Sequence, residues 1–197
     1  SIYPEDGESA ENLLRNADFA MYRAKAEGRG QYAFYEERLT AAALDRAALE
    51  LDLRHAISND ELTLFYQPQI DLRSGAIVGA EALVRWKHPK RGFVLPADFI
   101  GVAEQCGLIE DIGKYVRKAA CHQHRAWESN GLELPRVSIN VSSPEIKRKD
   151  FVEQMAAVLH DSGVRPFCLE VEITESLLID NSEHVLKVLK WLNERGI

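Results

Sequence analysis

Ala76-Ile-Val-Gly-Ala-Glu81-Ala-Leu-Val-Arg85-Trp86 reads as a buried strand with a carboxylate in its middle. Alternate residues of a strand face opposite ways, so Ile77, Gly79, Glu81, Leu83 and Arg85 share one side. A carboxylate in apolar surroundings costs several kcal/mol unless a metal, a cation or strong hydrogen bonds compensate it. Two further apolar strands carry the same kind of group. Asn140 lies in Val137-Ser-Ile-Asn140-Val, and Glu172 in Leu169-Glu-Val-Glu172-Ile.

Outward from this strand the chain alternates strand and helix. A strand at Leu62–Ile70 precedes it, joined by the turn Asp71-Leu-Arg-Ser-Gly75. A Pro/Gly loop runs from His88 to Pro96, and helices follow at about 97–105 and 109–130. Strand 136–141 leads to a helix at about 150–162, and strand 168–173 to one at about 182–195. This alternation is that of an α/β fold, a parallel sheet with crossover helices. A (β/α)8 TIM-like barrel has eight strands; about four follow residue 60, so the expectation is a barrel cut short.

Residues 1–35 read as a small unit. Ser9 caps a helix to about Glu27, with Leu13, Leu14, Ala17, Ala20, Met21 and Ala24 on one face. Gly28 and Gly30 stop it, and Gln31-Tyr-Ala-Phe-Tyr35 reads as a strand. Glu36 to about Ser58, free of Gly and Pro, predicts a long amphipathic linker helix.

The net charge of −7 argues against a nucleic-acid polymer as partner. Cys106, Cys121 and Cys168 form no Cys-x-x-Cys pair and read as buried, reduced thiols of a cytoplasmic protein. No apolar run approaches the roughly 20 residues of a membrane span, although the parent protein could be membrane-tethered through an upstream domain. The six histidines read as structural or solvated.

At the strand C-termini of a parallel barrel, inward polar groups converge on one mouth. There Glu81, Asn140 and Glu172 would offer two carboxylates and an amide oxygen, hard ligands for Mg²⁺ or Mn²⁺. Arg85 could engage a phosphate, and Gln67 a base or a phosphate. Strand glutamates can equally face solvent and Asn140 can satisfy a loop; the spacing leaves both readings open.

Several motifs together resemble the EAL-domain family: Tyr66-Gln67-Pro68; Gly79-Ala-Glu81-Ala82-Leu83-Val-Arg85-Trp86; His88-Pro89; Phe99-Ile100; Ser138-Ile-Asn140-Val-Ser142; and Glu170-Val-Glu172-Ile-Thr-Glu175-Ser176. Tyr3-Pro4-Glu-Asp-Gly7, Ala17-Asp18, Met21-Tyr22, Ala24-Lys25 and Gly28-Arg29 resemble the C-terminal end of a GGDEF diguanylate cyclase domain. The resemblance implies a cyclic di-GMP phosphodiesterase with a barrel of EAL type and two Mg²⁺ or Mn²⁺ ions. It makes Glu81, Asn140 and Glu172 metal ligands, and Glu81 and Glu175 catalytic, Glu175 through the loop that helps bind the second metal. Gln67, Leu83 and Arg85 would contact cyclic di-GMP. A homodimer is a further implication. The implied boundaries are a GGDEF remnant at 1–36, a linker helix at 37–59 and the EAL domain at 60–197. The paired aspartates and later site residues of the family do not occur before Ile197, so the expectation is an enzyme seen as an inactive fragment. The alternatives are a non-catalytic cyclic di-GMP receptor and a dual GGDEF-EAL regulatory module.

Overall fold

Asp71 explains how the site-bearing sheet begins. Its Oδ1 accepts from the backbone N–H of Arg73 (3.0 Å) and of Ser74 (2.7 Å) and from Ser74 Oγ (2.9 Å). These donors hold its carboxyl below the usual range, the Ser74 amide most of all. Gly75 turns the chain at φ +70°, a conformation that favours glycine. The turn is too short for a crossover, so β1 (Leu62–Ile70) folds back antiparallel on β2 (Ile77–His88). That is one departure from an all-parallel barrel.

This computed structural model describes residues 1–26, 32–174, 177 and 182–197. The chain divides into two units, Ser1–Asp52 and Leu53–Ile197. In the first, Ser9 Oγ accepts the Asn12 N–H at 3.2 Å and caps α1 (Ala10–Ala26), as expected. The buried stripe of α1 is Asn16, Ala20 and Ala24; Leu14 and Met21 of the expected apolar face are 70% and 50% exposed. Asn16 is satisfied there by the Asp6 carbonyl, to which its Nδ2 donates at 2.7 Å. Residues 32–36 form no strand, because this unit offers no strand to pair with among its described residues. Gly28, Arg29, Gly30 and Gln31 lie outside the described residues. Helix α2 spans Glu37–Ser58, with Leu49, Leu53 and Ala56 buried and Leu51 exposed. The three buried residues follow one stripe at i, i+4 and i+7, while the other apolar residues of the helix are spread round it.

In the second unit β2 is central. Parallel β4 (Val137–Val141) lies on its other edge, and parallel β5 (Leu169–Ile173) beyond β4. A short strand, β3 (Gly92–Val94), pairs with the end of β2 inside the loop expected at His88–Pro96. Helices α3 (Pro96–Cys106) and α4 (Ile109–Ser129) precede β4. A single turn, α5 (Ser143–Ile146), then α6 (Phe151–Ser162), lead towards β5, and α7 (Glu183–Glu194) comes last. The observed sheet is open, with β1 and β5 as its edges.

Alternation sorts the sheet into two faces. Ala80, Ala82, Trp86, Val137, Ile139, Val141 and Leu169 are buried, as are Ile112, Val116, Ala120 and Cys121 of α4 and Phe151 and Met155 of α6. Tyr66 stacks edge-on against Trp127 of α4 at 4.6 Å between centroids. Burial pushes the Cys121 thiol up to about 11, so it behaves as core, as expected; Cys168 is buried too and Cys106 half-buried. His124 is buried, with Nε2 2.9 Å from the Leu134 carbonyl. The other face carries the polar residues. Among the described residues no helix is long and apolar enough to cross a membrane.

Candidate metal and phosphodiester site

Strand register brings the predicted residues onto that second face. Gln67 is the Cα partner of Glu81, and Leu83 of Phe65, across β1 and β2. Glu81 is level with Ser138, and Asn140 is level with Glu172, across the parallel strands. The apolar residues between them point the other way, into the helices, which is why a run that looks continuously buried can present a carboxylate.

The side chains meet where the register allows. Asn140 Nδ2 donates to Glu81 Oε1 at 2.7 Å. Glu81 and Glu172 are half-buried, whereas Asn140 and Gln67 are exposed. The Glu172 carboxyl is held above its usual range, first by burial and then by the negative charges of Glu81 and Glu170. Glu81 and Glu172 are thus neighbouring carboxylates that repel one another, with the Asn140 amide nitrogen on Glu81. Among the described residues no group of three His, Cys, Asp or Glu side chains forms a metal cage. The set here is two carboxylates and an amide.

Below this group the face is internally satisfied. Buried Ser138 donates from Oγ to Glu170 Oε1 at 2.8 Å and accepts from Gln69 Nε2 at 3.3 Å. Arg136 pairs with the other Glu170 oxygen at 3.0 Å. Arg85 stands toward the rim, apart from Glu81 by four residues of strand. Its NH1 donates to the Val84 carbonyl at 2.9 Å and its guanidinium lies 5.8 Å from the Phe65 ring centre. Leu83, Asn140, Glu172 and Thr174 line a cleft of about 640 Å³ together with Ile100 of α3 and Val116 of α4, and Glu81, Gln67 and Arg85 are not among its lining residues. Glu175 lies outside the described residues.

Two residues that sequence reasoning passed over lie behind Asn140. Glu145 and Arg117 are both buried, paired at 2.5 Å. The Ser142-x-x-Glu145 spacing before an apolar residue was a readable capping signal. Arg117, a lone cation on the apolar side of α4, gave none.

A profile of the EAL domain matches residues 50–197, and the chain belongs to the EAL domain family. Among its relatives is an uncharacterised signalling protein of Caulobacter vibrioides, 42% identical over all of this chain and 24% of its own length. Another is the bifunctional diguanylate cyclase/cyclic di-GMP phosphodiesterase MucR of Pseudomonas aeruginosa, 36% identical over all of this chain and 29% of its own. A solved structure of the PaMucR phosphodiesterase in complex with cyclic di-GMP superposes with a TM-score of 0.73 at 33% identity. That match covers 76% of this chain and 61% of the solved one. The chain thus spans about a quarter of the length of these two relatives.

Proposed function

We propose that the polypeptide containing this chain is a divalent-metal-dependent phosphodiesterase that hydrolyses cyclic di-GMP to linear pGpG in bacterial second-messenger signalling. The observation that carries this reading is the Asn140–Glu81 hydrogen bond beside Glu172 on one open sheet face. The EAL family membership, and relatives named cyclic di-GMP phosphodiesterases, support it. Because the chain spans 61% of the solved PaMucR chain, turnover is assigned to the parent polypeptide and part of the site to this segment.

The donor set fits Mg²⁺ or Mn²⁺. Two carboxylates supply anionic oxygens, the Asn140 amide would add its Oδ1 on leaving Glu81, and the repulsion around Glu172 is of the kind a cation relieves. Glu81, Asn140 and Glu172 are the residues that would hold the ion. When bound, such an ion supplies positive charge for the phosphodiester and makes a nearby water more acidic. The rest belongs to side chains of this chain. Arg85 turns from the Val84 carbonyl to a non-bridging phosphate oxygen. Gln67, exposed opposite Glu81, donates and accepts at the dinucleotide, and Leu83 packs against it. Glu175 retains its catalytic assignment from the family resemblance, through the loop that helps bind a second metal.

The same reading takes residues 1–36 as the end of a GGDEF domain, 37–59 as a linker helix and 60–197 as the EAL portion. The match to a bifunctional cyclase/phosphodiesterase runs through residues 1–49 as well, ahead of the EAL profile, which begins at residue 50 within the proposed linker. A cytoplasmic setting, supported by three unpaired thiols, and a homodimer complete the proposal.

The test is hydrolysis by the parent protein with Mg²⁺ or Mn²⁺, followed by chromatography of cyclic di-GMP and pGpG. Conversion that falls to background in Glu81→Gln supports the reading. Tight binding of cyclic di-GMP without conversion by the wild type replaces it with a receptor.

A further inference from the structure

The Arg117–Glu145 pair is an expensive way to fill a core. Its side chains are 3% and 4% exposed. Removing two such charges from water costs so much that apolar replacements are often as stable or more so. Its value is better sought in what it holds.

Glu145 is satisfied at both oxygens. Oε1 receives Arg117 NH1 at 2.5 Å. Oε2 receives the Ser142 backbone N–H at 3.0 Å and Ser142 Oγ at 2.7 Å. Arg117 in turn donates through NH2 to Gln154 Oε1 of α6 at 3.0 Å, and its guanidinium lies 5.4 Å from the Phe151 ring centre. Gly113, one helical turn before Arg117, leaves the necessary room: a Cβ there would fall 1.7 Å from Glu145 Oε1. One carboxylate thus ties the turn after β4 to α4 and, through Arg117, to α6.

That turn begins two residues after Asn140. Ser142, the residue clamped by Glu145, fixes where β4 leaves the sheet. Asn140 is exposed, and its hydrogen bond to Glu81 bridges two strands. We infer that Glu145 and Arg117 are positioning residues: they hold the Ser142 turn so that the Asn140 amide stays on Glu81. What Asn140 does there rests on the reading proposed above; the positioning itself does not.

The test separates position from stability in this 197-residue chain. Removing one charge alone strands its partner, so the main variant replaces both, Arg117→Leu with Glu145→Gln. The side-chain amide introduced by Glu145→Gln still accepts from Ser142 but has lost the tether to α4. Two readouts are taken on folded protein: the NMR shift of the Asn140 side-chain amide, and Mn²⁺ affinity by electron paramagnetic resonance. The expected result is an Asn140 resonance moved toward that of a free amide, and Mn²⁺ binding weakened about tenfold, the loss typical of disturbed ligand support. Arg117→Lys, which keeps a cation for Glu145, is expected to retain the wild-type values of both. Should the paired variant unfold, Gly113→Ala, whose methyl displaces Glu145 while both charges are kept, is read the same way. An Asn140 resonance unmoved in the folded variant overturns the inference, as does an Arg117→Lys protein that behaves like the paired variant. A wild type that binds no Mn²⁺, with an Asn140 resonance that still moves on substitution, leaves the positioning intact and separates it from the metal reading.

Discussion

Glu145 and Glu172 are the same residue placed in opposite electrostatic settings. Glu145, behind β4, is buried and meets a guanidinium, a backbone N–H and a hydroxyl. Glu172, on the open face, is half-buried and meets the charges of two other carboxylates. The first has its charge compensated inside the fold; the second keeps a surplus of negative charge. A carboxylate completed by its own protein supports structure. One left among like charges is fitted to an external cation or to proton exchange.

This contrast can be broken from the open face first. Glu81→Gln in the parent protein is expected to reduce cyclic di-GMP hydrolysis to background while leaving the thermal midpoint within a few degrees. A variant retaining most of its activity would remove Glu81 from the site. On the buried side, Arg117→Leu alone should cost about 3–5 kcal/mol by urea unfolding, because it leaves Glu145 buried without its cation. A cost below about 1 kcal/mol, the range of exposed pairs, would mean that Glu145 reaches water. Gly113→Ala tests the same contact more gently. The new methyl must push Glu145 aside, and overpacking of this kind costs about 1–3 kcal/mol. An unchanged denaturation midpoint would deny the close approach.

The smallest effect is on pH dependence. The carboxyl of Glu172 is raised in the folded, metal-free chain, so the folded state binds its proton more tightly than the unfolded state does. Its contribution to stability is therefore lost as pH rises from the ordinary glutamate range through the raised folded value. Glu172→Gln should flatten that decline, by a few tenths of a kcal/mol given solvent screening at a partly exposed group. A decline left as steep in the variant would assign it to another group.

Much of this architecture was legible because period and punctuation agree. Alternation put Glu81, Asn140 and Glu172 each on the polar side of its own strand, and register brings those sides onto one face. Ser9 as a cap and the helices from Pro96 onward were similarly local signals. What was not legible depends on distance in space. Strand β3 exists because the end of β2 offers it an edge, and three residues carry too little pattern to announce that. The expected strand over 31–35 had β-forming residues without a partner, and its first residue lies outside the described part. Arg85 shares the face of Glu81, but alternation gives the side and not the reach, and its guanidinium turns to Val84 and Phe65. Arg117 and Glu145 are 28 residues apart, and neither local sequence names the other.

In the function proposed, a divalent cation completes the open-face group of Glu81, Asn140 and Glu172. Calorimetric titration of Mn²⁺ into the parent protein at neutral pH tests it most directly. Saturable binding that is lost in both Glu81→Gln and Glu172→Gln, and kept in Glu170→Gln, is the predicted result. Absence of saturable binding to the wild type, or binding indifferent to Glu81 and Glu172, would contradict it.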